Sequence, residues 1–101
     1  MLIVSGQIGM EKDGSMSEDP LKQLEVALEN VLLNLQAADM APRDLLKLTF
    51  YHVGTVDVHR RRALVSTKLE GHKPCMTLLF VAALAPPNIK VEIDAVASRA
   101  G

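Results

Sequence analysis

The chain is 101 residues long, carries a formal net charge of -1, and is 49% hydrophobic but only 3% aromatic. That length fits one domain, residues 1–101, whose core must be packed from Leu, Val, Ile, Ala and Met. A domain so short buries a limited share of its surface and gains from assembly. With 11 Lys and Arg against 12 Asp and Glu, no general field draws nucleic acid or an anionic membrane, and neither is expected as a partner.

Cys75 is the single cysteine, which excludes an intrachain disulfide and makes a reducing compartment the default. Met1 to Val4 are apolar but run straight into Ser5-Gly6-Gln7, with neither the basic flank nor the length of a signal peptide or membrane span. A cytoplasmic protein is expected.

Leu2 to Ile8 is β-branched and apolar and ends at the turn signal Glu11-Lys12-Asp13-Gly14, which predicts a first strand. Ser17-Glu18-Asp19-Pro20 offers capping residues and a first-turn proline. Leu21, Leu24, Ala27, Leu28, Val31, Leu32 and Leu35 then recur at helical spacing, predicting a helix over about residues 19–38. After Ala41-Pro42-Arg43-Asp44, the β-rich run Leu46 to Val53 predicts a second strand that stops at Gly54. Asp57 can cap a second helix in which Val58, Arg61, Arg62, Val65 and Leu69 fall on successive turns, ending near Gly71. Two more strands, Cys75 to Leu84 and Ile89 to Ala97, flank Ala85-Pro86-Pro87-Asn88, which reads as a sharp connection between neighbours in the sheet.

The order β-α-β-α-β-β predicts an α+β domain with both helices on one face of a single sheet. In the last strand Ile89, Val91, Ile93, Ala95 and Ala97 should face the helices, with Lys90, Glu92, Asp94 and Val96 on the other side. In the preceding strand both alternating sets are apolar. One of its faces therefore needs a partner surface, and a homo-oligomer that packs sheet faces together is expected.

Four stretches, Val4-Ser5-Gly6-Gln7-Ile8, Ala27-Leu28-Glu29-Asn30, Lys47-Leu48-Thr49-Phe50-Tyr51 and Val91-Glu92-Ile93-Asp94-Ala95-Val96-Ala97, stand in this order with Pro74 at a strand entry between them. Together they resemble the RidA/YjgF family, also called endoribonuclease L-PSP, over nearly the whole chain. The resemblance implies a chorismate-mutase-like fold, a homotrimer formed through the uncovered sheet face, and small-molecule clefts at the subunit boundaries. Family members of the deaminase type hydrolyse enamine and imine intermediates derived from amino acids, without metal or organic cofactor. In them an arginine on the penultimate strand clamps the substrate carboxylate, and a glutamate on the last strand positions water.

Carried over by position, Ser5 and Gly6 match the cleft-lining pair and Glu92 matches the water-positioning glutamate. The Pro-x-Arg-Ser/Thr signature reads Pro74-Cys75-Met76-Thr77, so Met76 stands at the arginine position, with Leu78 two residues on along the same face. The family's upstream Gly-Pro-Tyr/Phe-Ser-Gln segment has no counterpart in this sequence, so a shorter, more apolar cleft is expected. A thioether offers neither donor nor charge where a guanidinium gives two charge-assisted hydrogen bonds. Losing that clamp should cost roughly two orders of magnitude in affinity for a carboxylate. Arg60, Arg61 and Arg62 are the obvious substitutes, but they are expected on a helix across the sheet from Met76.

The chain is thus expected to be a divergent family member that binds a small molecule without ordinary imino-acid deamination. The alternative is an enamine or imine hydrolase of altered substrate, in which Glu92 orients water and backbone amides near Met76 and Leu78 polarise the reacting group. Plainer readings stand beside these. Glu92 can be a strand carboxylate paired with Lys90, Cys75 a small buried hydrophobe, the arginine run a solvated helix face, and Ser5-Gly6 a bulge. Tyr51 can reach the cleft or cover a sheet edge. His52, His59, His72 and Cys75 lack ligand spacing, so no metal is expected.

Overall fold

The structure, a computed structural model, describes residues 1–99. Four strands, β1 (Leu2–Ile8), β2 (Leu45–His52), β3 (Cys75–Phe80) and β4 (Val91–Ala97), alternate with two helices, α1 (Pro20–Ala37) and α2 (Val58–Lys68). The sheet order is β1-β4-β2-β3. β4 runs antiparallel to both its neighbours, while β3 lies at the edge, parallel to β2. The α+β class and the element order are as the residue pattern predicts, and both helix starts are capped as expected. Asp19 Oδ1 accepts from Leu21 N at 3.1 Å and Asp57 Oδ1 from Arg60 N at 3.0 Å, each satisfying an amide that has no partner within its helix.

Two expectations about the C-terminal strands do not hold. β3 and β4 are not neighbours, because the β2-α2-β3 unit is a parallel crossover that places β3 on the far side of β2. The chain must then pass back over the end of β2 to insert β4, and residues 81–90 make that passage. β3 also stops at Phe80 rather than reaching Leu84, since β2 ends at His52, the register partner of Phe80, and no ladder continues beyond it. Val81 N still reaches His52 O at 2.8 Å. Cys75 is exposed instead of buried, because the edge strand is covered on neither face.

The core lies between the sheet and α1. Leu24, Leu28, Val31 and Leu35 meet Leu48, Phe50, Val91 and Ile93, all fully excluded from solvent. Each such aliphatic side chain contributes roughly 1.5–3 kcal/mol on transfer from water. Gln23, on the buried stripe of α1, is fully satisfied. Its amide nitrogen donates to Ser17 O (2.7 Å) and Asn88 O (3.0 Å), and its oxygen accepts from Lys90 N (2.8 Å). One side chain thus ties the start of α1 to the segment leading into β4. Among the described residues no helix is long and apolar enough to cross a membrane.

Gly9 marks where β1 leaves the sheet under α1. A Cβ there would sit 2.6 Å from Gln23 Cα and 2.6 Å from Gln23 O, backbone atoms that cannot swing aside. Gly9→Ala should therefore lower stability in urea unfolding by about 1–3 kcal/mol. A midpoint equal to wild type would show that α1 does not press on this turn.

Candidate functional site

On the face away from the helices, the ladder between β1 and β4 breaks. Val4 pairs with Ala95 and Gln7 with Ile93, so Ser5 and Gly6 together oppose Asp94. This is a β-bulge, with Gly6 at φ +67°, a conformation that disfavours any residue with a Cβ. Asp94 fills the gap. Its Oδ1 accepts from Gly6 N at 2.8 Å and Ser5 Oγ at 3.4 Å, and its Oδ2 accepts from Tyr51 Oη at 3.1 Å. The hydrogen bond to Asp94, with that carboxylate's charge, burial and the nearby Glu92, holds the Tyr51 phenol above its ordinary pKa. It is a neutral donor at physiological pH.

Glu92 lies two residues before Asp94 on the same strand face, its Oε1 3.9 Å from where a Cβ on Gly6 would stand. Lys90 does not pair with it; Lys90 Nζ donates instead to Pro87 O at 3.2 Å. Among the described residues no cation lies within salt-bridge distance of Glu92. Of two adjacent carboxylates, Asp94 is committed to three donors and Glu92 is left free. A free carboxylate beside a glycine that exposes its backbone can hold a water or exchange a proton with a bound molecule. Asp94, which organises the bulge, Tyr51 and Ser5, was assigned no role from sequence. The only signal for it was its alternation with Glu92.

Ser5, Gly6, Tyr51 and Glu92 therefore come together as a group, while Met76 and Leu78 do not join them. In the parallel register Met76 pairs with Leu48 and Leu78 with Phe50, so both point to the helix side of the sheet. A single chain does not bring all six residues into one cleft. The same register corrects the expected place of the arginines, since α2 lies on the same face as Met76 and not across the sheet from it. Arg61, Arg62, Val65, Leu69, His72 and Lys73 border one groove with Met76.

Beneath that groove, Arg61 Nε donates to His52 Nε2 at 3.3 Å, and its guanidinium carbon stands 4.5 Å from the centre of the Phe50 ring. Because an arginine N–H can only donate, the His52 Nε2 carries the lone pair and the proton sits on Nδ1, which has no partner among the described residues. Burial, and secondarily the Arg61 charge, pull the His52 pKa down from 6.5 to about 4. Burial also lowers the Arg61 pKa, but arginine does not give up its proton in proteins.

The Endoribonuclease L-PSP family model matches residues 1–99. The chain belongs to that family, the RidA/YjgF proteins. The 2-iminobutanoate/2-iminopropanoate deaminase of Salmonella typhimurium is 33% identical over 98% of this chain and 80% of its own length. The Escherichia coli K12 protein of the same name is 31% identical over the same shares. Among solved structures, E. coli TdcF with bound serine superposes with a TM-score of 0.87 at 28% identity, covering 97% of this chain and 80% of TdcF. The E. coli YjgF gene product gives a TM-score of 0.86 at 30% identity, covering 97% and 80%. The RidA/YjgF fold inferred from the four sequence stretches is the fold observed.

His52 also sets a pH dependence. The unfolded chain takes up a proton below pH 6.5, which the folded chain resists until about pH 4. Stability contributed by neutral His52 is complete above pH 6.5 and is lost as pH falls through this window, by roughly 2 kcal/mol at pH 5. His52→Gln keeps an acceptor for Arg61 but does not titrate. In urea unfolding at pH 7 and pH 5, wild type should lose that much more stability than the variant, and equal losses would contradict a neutral, buried His52.

Proposed function

We propose that this RidA/YjgF-family chain works as a homotrimer that binds a small molecule in clefts between its subunits, and that it does not carry out ordinary 2-imino-acid deamination. The observation that carries this is Met76, which offers no hydrogen-bond donor and no charge at the family's arginine position. The relatives' names give 2-iminobutanoate and 2-iminopropanoate as what they act on. Both carry a carboxylate that Met76 cannot hold. Assembly is supported by apolar side chains left exposed around the β3 edge, namely Leu78, Leu79 and Phe80, with Ile3 70% exposed on the opposite edge strand. The split of the site between the two sheet faces supports clefts built from more than one copy, one giving Glu92 and Gly6 and the next giving Met76 and Leu78.

Incubated with freshly generated 2-aminoacrylate, the protein should release ammonia at least about a hundredfold more slowly than an arginine-bearing relative such as the Salmonella deaminase. A comparable rate would refute the reading. Sedimentation should find a species of three chains, and a monomer at micromolar concentration would exclude the intersubunit cleft.

The free carboxylate of Glu92 favours a second reading, a cofactor-free hydrolase of the same general class acting on an altered enamine or imine. Here Glu92 orients water next to the Gly6 bulge. Any turnover found for the wild-type protein should fall about 100-fold or more in Glu92→Gln. Unchanged turnover in that variant would remove Glu92 from the chemistry.

A further inference from the structure

Glu92 stands apart from the other acidic side chains that the fold withdraws from water. Glu25 accepts from Lys22 Nζ at 2.7 Å, Glu29 from Lys68 Nζ at 2.9 Å, Asp44 from Ala41 N at 2.9 Å and Asp94 from Gly6 N at 2.8 Å. Glu92 is half-buried as well, yet among the described residues no donor of the chain reaches it. Its neighbours in the sheet cannot supply one. Across the strands it is paired with Ile8 on β1 and Tyr51 on β2, and Tyr51 is paired with Leu79 on β3. The Tyr51 hydroxyl already donates to Asp94 Oδ2 at 3.1 Å, Lys90 Nζ to Pro87 O at 3.2 Å, and Lys47 Nζ to Thr77 Oγ1 at 2.9 Å. A carboxylate partly removed from water and given no donor is costly unless another molecule brings one.

The complementary surface lies on the other side of the same chain. The groove between α2 and β3 is bordered by Arg61, Arg62, His72 and Lys73, and among the described residues no Asp or Glu lines it. Arg61 is held inward by His52 and Phe50, whereas Arg62 is exposed at the groove's edge. A guanidinium offers two parallel donors to one carboxylate, which the ammonium of Lys73 does not. Each surface also carries an exposed apolar side chain beside its charge, Leu79 in the row of Glu92 and Met76 in the groove of Arg62.

One surface is on the free sheet face and the other on the helix side, so a single chain cannot join them. Copies that match one to the other meet head to tail, the contact that closes into a ring.

We infer that Glu92 of one copy pairs with Arg62 of the next, so that the cleft between copies is closed by the protein's own charges. This rests on the intersubunit cleft proposed above and adds the interaction that holds it. The pair gives Glu92 the donor that its own chain lacks. It also occupies the guanidinium bordering Met76, which is then not left to clamp the carboxylate of a bound molecule.

The test is sedimentation of the full chain over a range of concentrations for wild type, Glu92→Arg, Arg62→Glu and the double reversal, with circular dichroism to confirm folding. Each single reversal sets like charges together at every contact of the ring and should raise the concentration of half-assembly by about tenfold or more. The double reversal puts opposite charges back and should return it to within about threefold of wild type. If a reversal does not fold, Glu92→Gln and Arg62→Gln complete the same cycle. Either one should weaken assembly, and the second should add little to the first. A trimeric wild type whose assembly the single variants leave unmoved, or weaken without recovery in the double reversal or additively in the glutamine pair, would overturn the ion pair and leave the trimer standing. A monomeric wild type would overturn the pair together with the intersubunit cleft.

Discussion

β4 is hydrogen-bonded along both edges, to β1 on one side and β2 on the other, and its strict alternation sets what each sheet face can do. Val91, Ile93, Ala95 and Ala97 are buried beneath α1, while Glu92, Asp94 and Val96 are half-buried on the other face. A slip of one residue would expose four core side chains and bury two carboxylates. The register that forms the core is therefore the same register that presents Glu92. Stability and site geometry cannot be varied independently on this strand.

The bulge opposite Asp94 follows from that constraint. A bulge leaves backbone groups of β1 out of the ladder, and an amide so freed takes an acceptor outside it. Asp94 supplies it to Gly6 N and holds the Tyr51 hydroxyl on its other oxygen. With Asp94 so occupied, its neighbour on the same face is left without a partner. Two chemically similar carboxylates thus have different parts because one repairs an irregular strand and the other does not.

On the helix side the geometry depends on α2 carrying Arg61 on its inward stripe, where an amphipathic helix would carry an aliphatic residue. Only Val65 within the helix is fully buried, joined by Leu69 just past its end. Arg61 takes the place of a core residue, and its long side chain covers Phe50 while keeping a charged head toward the groove. His52 below it must then remain neutral, since a second cation there would be repelled and desolvated at once. On β3, Met76, Leu78 and Phe80 stay partly uncovered.

The helical spacing from Leu21 to Leu35, the caps at Asp19 and Asp57, and the alternation from Val91 to Ala97 were legible in the sequence because each is a local pattern with a fixed period. The family was legible for a related reason, since short stretches such as Val4-Ser5-Gly6-Gln7-Ile8 keep their order along the chain. Met76 could be recognised as the departure from Pro-x-Arg. Its surroundings could not. Which strand β3 joins, and in which phase, depends on pairings between segments 20 to 30 residues apart, and local periodicity carries no term for them. The sequence alone therefore determined the elements, their faces and the family, because these depend on nearest neighbours and on spacing. Only the tertiary structure decided that β4 lies between β1 and β2, that Asp94 anchors the bulge, and that Met76 faces Arg61 rather than Glu92, because those follow from long-range register.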